Sequence, residues 1–356
     1  MKPLLRFAAL LLGAVACTAT FALTTQAAHA QKTLFYMTED PGSERDFLAH
    51  ANQVDTLSPA WYSTNAQGLL RGDADPVILK AAQDAHDTVI ALVGLADKEQ
   101  AHQLFGDQKA QDALNEAMIR ECKLHGYAGF QLDIEDILWT DKDALSAMVQ
   151  KSADAMHAAH LQLQIAVVPG APGYPGSTAF GTWMYQEWRG GYDIAALAKS
   201  VDLLCLMTYD QHTHWTPPGP VGGWNWTIEN MKYALARMPA DKLSLGIALY
   251  GYHWYAGDPG LGAKEQKPNP TADYIGYEDA EMLRKSYGGV AQWDPVDHSN
   301  WFYFYRDQTR EWVFDTSKRS FEDRFKLAKE NHLQGICAWV LGQEDPAIWT
   351  ILPKHS

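Results

Sequence analysis

Short apolar, β-branched runs recur along this chain, and each is followed by an alanine-rich, charged stretch with helical spacing. The runs occupy residues 33–37, 54–58, 88–93, 129–135, 163–168, 201–209, 243–250 and 335–340. Between them lie segments such as 108–124 and 144–160, with apolar residues at helical period. Strands that alternate with helices pair in parallel, because each helix carries the chain back to the same end of the sheet. Eight runs across residues 33–340 fit a (β/α)8 TIM barrel, whose usual size is about 250 residues plus insertions. A doubly wound open sheet would normally show a glycine-rich phosphate turn after its first strand. Thr38-Glu39-Asp40-Pro41-Gly42 is no such turn.

One segment breaks the rhythm. Between the seventh and eighth runs, about 256–316, the chain is long and rich in Tyr and Trp. Phe302 to Tyr305, the polar Arg306-Asp307 and then Glu311 to Phe314 read as a hairpin, so this is a small α+β insertion. The first 30 residues read as a leader. Lys2 and Arg6 precede an apolar core, and Ala28-His29-Ala30 is a cleavage site just before Gln31. The apolar stretch is too short for a membrane span, so the expected product is an exported chain of residues 31–356, periplasmic or secreted. Lipoprotein processing at Cys17 is the rival, with an imperfect motif.

Composition narrows the function classes. Lys plus Arg number 29 against 43 Asp plus Glu, a formal net charge of −14, and no basic run suggests nucleic acid. The three cysteines left after the leader, Cys122, Cys205 and Cys337, do not make a disulfide framework; Cys205 and Cys337 lie inside apolar runs and read as buried thiols. His212 and His214 lack a third ligand nearby, so no metal site is expected.

A barrel of this type builds its site at the C-terminal ends of its strands. The fourth run ends Gln131-Leu132-Asp133-Ile134-Glu135. Side chains alternate along a strand, so Gln131, Asp133 and Glu135 share one face. Three polar groups on a buried face are costly unless they line the barrel mouth. There the like charges of Asp133 and Glu135 raise at least one pKa, as a general acid requires. The sixth run ends Met207-Thr208-Tyr209-Asp210; the Tyr209 phenol suits a developing negative oxygen, whereas Asp210 also reads as a turn or capping residue. Trp339 on the eighth run would floor a sugar ring.

These residues carry a resemblance to glycoside hydrolase family 18, the chitinase-like family. Its fourth-strand signature D-G-x-D-x-D-x-E reads A-G-F-Q-L-D-I-E at residues 128–135, and its M-x-Y-D is matched in full by Met207 to Asp210. Further matches resemble the branch of bacterial spore-cortex and cell-wall N-acetylglucosaminidases: Ser58 to Ser63, Pro218 to Val221 with Trp226, Leu249 to Tyr252, and Trp339 to Asp345. The resemblance implies retaining, substrate-assisted hydrolysis of β-linked N-acetylhexosamine glycans, with no cofactor. It makes Glu135 the acid and base, Asp133 the group that orients the acetamido N–H, and Tyr209 a donor to the acetamido oxygen. Substrate contacts are expected from Trp339, Gln131, Met207, Asp210, Tyr62, Trp226 and Tyr250. Ala128 and Gln131 depart from the signature, and a neutral Gln131 should let Asp133 ionise more easily.

The expected partner is an oligo- or polysaccharide containing N-acetylglucosamine, peptidoglycan-type ahead of chitin, acted on by a monomer without a membrane span. The alternatives are a catalytically silent chitin-binding relative, which would normally have lost the acid, and an endo-N-acetylglucosaminidase acting on N-glycans. A metal-dependent deacetylase lacks its ligand cluster.

Overall fold

The structure is a computed structural model that describes residues 31–255 and 271–355. The leader up to Ala30, with Cys17, and the first part of the expected insertion lie outside the described residues.

All eight runs are strands of one parallel sheet. They are β1 (Lys32–Met37), β2 (Thr56–Pro59), β4 (Thr88–Leu95), β5 (Gly129–Ile134), β6 (Gln162–Val167), β7 (Leu203–Leu206), β8 (Leu243–Ala248) and β14 (Gly335–Trp339). A two-residue strand, β3 (Tyr62–Ser63), runs beside the upper end of β4. The pairing order is β2–β1–β14–β8–β7–β6–β5–β4, and β4 returns to β2 through Thr56↔Thr88 and Leu57↔Val89. The sheet therefore closes into the (β/α)8 barrel.

The covering helices follow from local signals. The helix Gln108–His125 starts where Asp107 accepts from Lys109 N and Ala110 N, and it ends at Gly126 with φ 77°. Ala110, Leu114, Met118 and Cys122 recur every four residues along it and form its buried stripe. Along β5, Phe130, Leu132 and Ile134 are buried, while Gln131 and Asp133 take the opposite face, toward the barrel interior. Cys122, Cys205 and Cys337 are buried free thiols.

One close approach sets the end of β7. A Cβ at Gly246 would sit 2.3 Å from Leu206 O and 2.7 Å from Thr208 N, and Thr208 Oγ1 donates to Gly246 O at 2.7 Å. Only glycine lets β8 lie this near the segment that carries Tyr209 and Asp210.

A second, antiparallel sheet leaves the barrel after β8. It comprises β9 (Gly251–Tyr255), β10 (Thr271–Ile275), β11 (Gln292–Asp294), β12 (Ser299–Arg306) and β13 (Thr309–Asp315), in the order β10–β9–β13–β12–β11. The helix Tyr277–Ser286 joins β10 to β11. β12 and β13 form a hairpin with Phe302 opposite Val313, and its turn residues Asp307 and Gln308 have φ 48° and 65°. Among the described residues, no helix is long and apolar enough to cross a membrane.

Candidate active site

Gln131, Asp133 and Glu135 climb the inside of the barrel in that order. Gln131 is fully buried at the lowest level. It accepts from Tyr36 Oη at 2.6 Å and donates to Gln164 Oε1 at 3.2 Å and Cys205 Sγ at 3.3 Å. A neutral amide can accept and donate at once, so this interior layer is satisfied without a charge.

Asp133 sits one level higher, facing a cavity of about 150 Å³ at the barrel mouth. Its Oδ1 is shut off from water and has no hydrogen-bond partner among the described residues. Burial pushes its carboxyl up to about 6. The relief expected from a neutral Gln131 is thus offset by desolvation, which disfavours the charged form without a neighbouring anion.

Glu135 is the next inward residue. Its backbone N–H still donates to Leu95 O at 2.9 Å, which extends the β4–β5 ladder by one residue. Asp136 then takes φ 55° and turns the chain away. Burial, first, and then the charges of Asp133, Asp136 and Asp210 push the Glu135 carboxyl up to about 8. It therefore holds its proton at neutral pH and can give it to a leaving group.

The rest of the cavity comes from other strand ends. Met207, Tyr209 and Asp210 follow β7, Tyr250 follows β8, and Trp339 ends β14. Tyr209 is buried, and its hydroxyl has no protein partner among the described residues. Trp339 is less buried than the rest of its strand and packs against Tyr36, with ring centroids 5.2 Å apart. Its carbonyl accepts from Leu249 N at 2.6 Å, and Leu341 N donates to Tyr36 O at 3.0 Å, so the backbone around Trp339 is tied to the ends of both neighbouring strands.

Asp210 has φ 59° and receives three phenol hydroxyls. Tyr250 and Tyr252 donate to Oδ1 at 2.5 and 3.3 Å, and Tyr274 to Oδ2 at 3.5 Å. Burial raises its pKa, and these three hydrogen bonds act in the opposite sense. Tyr252 and Tyr274 belong to β9 and β10, so Asp210 ties the second sheet to the barrel mouth. Tyr274, 55% exposed, forms the lip.

The cavity therefore brings together Asp133, Glu135, Met207, Tyr209, Asp210, Tyr250 and Trp339. Gln131 lies below it and reaches it through Tyr36. Tyr62 and Trp226 are placed elsewhere. The Tyr62 hydroxyl meets Tyr127 Oη at 3.0 Å and Glu121 Oε2 at 3.4 Å, on the flank facing the helix Gln108–His125. Trp226 lies in the first turn of the helix Trp224–Leu235 and is not among the residues that line the cavity. Conversely, Tyr36, Leu92, Ala166 and Tyr274 line the cavity without having been singled out in the sequence. The alternation that exposes Asp133 would have exposed Tyr36 on the first run; nothing in the sequence carries Tyr274 to the mouth.

Comparison with known proteins gives a consistent picture. The family model described as glycosyl hydrolases family 18 matches residues 33–344. The chain is 23% identical over 338 residues to the uncharacterized glycosylase YvbX of Bacillus subtilis (strain 168), covering 93% of each. It is 26% identical over 250 residues to the cortical fragment-lytic enzyme of the same organism, covering 70% of this chain and about half, 54%, of that enzyme. Among solved structures, a chitinase from Chromobacterium violaceum ATCC 12472 superposes with a TM-score of 0.78 at 24% identity, covering 90% of this chain and 97% of that one. The spore cortex-lytic enzyme SleL of Bacillus megaterium QM B1551 gives 0.77 at 21% identity, covering 90% and 73%.

Proposed function

The chain belongs to glycosyl hydrolases family 18, and from that premise we propose that it is a retaining glycosidase whose acid is Glu135 and whose substrates are β-linked N-acetylhexosamine glycans of peptidoglycan or chitin type. One observation carries the assignment of roles. Asp133 and Glu135 share a single cavity, and Glu135 is held protonated near neutral pH by burial and by Asp133.

The chemistry runs in two steps. The substrate's own 2-acetamido carbonyl oxygen bonds to the anomeric carbon as the glycosidic C–O bond breaks. Glu135 gives its proton to the departing oxygen. Asp133, ionised, accepts the acetamido N–H and stabilises the positive charge of the cyclic intermediate. Tyr209 donates to the acetamido oxygen, and Trp339 presents a flat apolar face to the ring. Water then attacks the anomeric carbon, its proton passes to Glu135, and the acetamido oxygen leaves. Two inversions give retention.

The cortical fragment-lytic and SleL relatives favour a cell-wall glycan as the physiological substrate, and the chitinase relatives support binding of chitin-type chains. The leader grammar of residues 1–30 supports export with cleavage after Ala30, which N-terminal sequencing of the exported chain from Gln31 would test. We read the mature chain as a monomer. The purified protein should release reducing ends from chito-oligosaccharides or peptidoglycan, and E135Q should lower kcat by about 10²–10⁴-fold, the usual worth of a general acid. Undiminished turnover by E135Q would sink the role of Glu135.

A further inference from the structure

Beside the candidate active site lies a second cavity of about 180 Å³, and its walls are cationic. Lys142, Arg189 and Arg237 line it together with Tyr185, Tyr192 and Tyr233. This concentration of positive charge stands out on a chain of net charge −14. None of the three cations joins an ion pair among the described residues, although surface Lys and Arg elsewhere do.

Arg189 is the centre of the arrangement. Its Nη1 donates to Ala171 O at 3.0 Å, while its Nε is buried without a partner. A buried guanidinium N–H left unmade is unfavourable, and an incoming anion would satisfy it. Burial lowers the Arg189 pKa, and the Glu229 charge acts in the opposite sense. The carboxylate on the cavity wall, Asp193, is already engaged: it caps its own helix by accepting from Ala196 N at 3.0 Å.

The surrounding walls are fixed in place. Gly170 and Gly173 let the loop after β6 lie flat on Tyr233, since a Cβ at either would come within 2.9 and 2.6 Å of that side chain. Arg237 stacks on the Tyr233 ring, 3.5 Å from its centroid, and its Nη1 donates to Tyr233 O at 2.8 Å. Arg237 is thus held over the cavity by its own neighbours. Tyr192 ties this cavity to the strand that carries the active-site carboxylates: its hydroxyl donates to Ile134 O at 2.7 Å, the residue before Glu135.

We propose that this cavity binds a carboxylate carried by the glycan substrate. The guanidinium fork of Arg189 matches a planar carboxylate, and Arg237 and Lys142 add charge around it. The enzyme would then prefer strands whose N-acetylhexosamine units bear lactyl or peptide carboxylates over neutral chitin-type strands. The choice of ligand rests on the proposed glycan hydrolysis; the anion site itself does not.

The test is calorimetric titration of the full chain carrying E135Q, so that the probe is not consumed. The probes are a soluble muropeptide, the same disaccharide stripped of its peptide, and chitotetraose. R189Q should weaken muropeptide binding about tenfold, the worth of one charge-assisted hydrogen bond, and leave the chitotetraose Kd where it was. R237Q, at an exposed position, should act in the same direction and guards against misfolding of R189Q. Retention of the Arg189 dependence by the stripped disaccharide assigns the lactyl carboxylate; its loss there assigns the peptide. A muropeptide that does not bind, or equal effects of R189Q on muropeptide and chitotetraose, overturns the proposal. If the wild-type chain cleaves neither glycan yet binds the muropeptide through Arg189, the proposed hydrolysis fails and the anion site stands.

Discussion

Replacing Asp133 by Asn should do more than slow the enzyme; it should move the alkaline limb of the pH–rate profile. On the proposed mechanism the active form of the wild-type chain has Asp133 ionised and Glu135 protonated. kcat/KM should therefore rise through about 6 and fall through about 8, with a maximum near neutral pH. The two carboxyls interact, so these limbs belong to the pair. Asp133 and Glu135 are two residues apart on an extended segment, about 6.6 Å along it at roughly 3.3 Å per residue. Two negative charges at that spacing repel by about 2.5 kcal/mol at an effective dielectric near 20. The cavity admits water, so about half of that is expected, which puts the displacement at roughly one pH unit. The sign follows from charge. The Asp133 anion disfavours a second anion at Glu135, so a neutral Asn lets Glu135 ionise at lower pH. Burial remains the larger cause at Glu135, so the limb should stay above the ordinary carboxylate range. The acid limb should vanish with its titrating group. The assay is kcat/KM on a chito-oligosaccharide from pH 4 to 9.5, wild type beside D133N. An alkaline limb unmoved from about 8, or an acid limb that persists in D133N, would refute the pairing.

The remaining expectations are simpler. Y209F removes a hydroxyl that no protein group engages among the described residues, so it should lower kcat by about 10²-fold with little change in thermal stability; steady-state kinetics beside a melting curve would check this. Q131D places a second carboxyl below Asp133 and shortens the side chain that holds Tyr36 and Gln164, so the acid limb should move to higher pH while the melting temperature falls. G246A drives a Cβ to within 2.3 Å of Leu206 O, and urea titration should show a loss of about 1–3 kcal/mol.

The alternation of runs and the two-residue period within them were enough to announce a barrel and to place Asp133 and Glu135 on one inward face. Both are local properties of the chain. A strand's faces follow from its backbone geometry, and parallel strands need helical crossovers whatever their final neighbours. The sequence could not say how the mouth is assembled. Asp210 read equally well as a turn residue, and only closure of the barrel with docking of β9 and β10 surrounds it with Tyr250, Tyr252 and Tyr274. Tyr62, expected at the substrate, faces a helix instead, because its short strand lies outside the closed ring. The carboxyl values of Asp133 and Glu135 likewise depend on burial by residues from distant strands. The cationic cavity joins Lys142, Arg189 and Arg237 across almost 100 residues of chain. Faces are written in local period, whereas proximity between strand ends and loops exists only once the sheet has closed and the helices have packed around it.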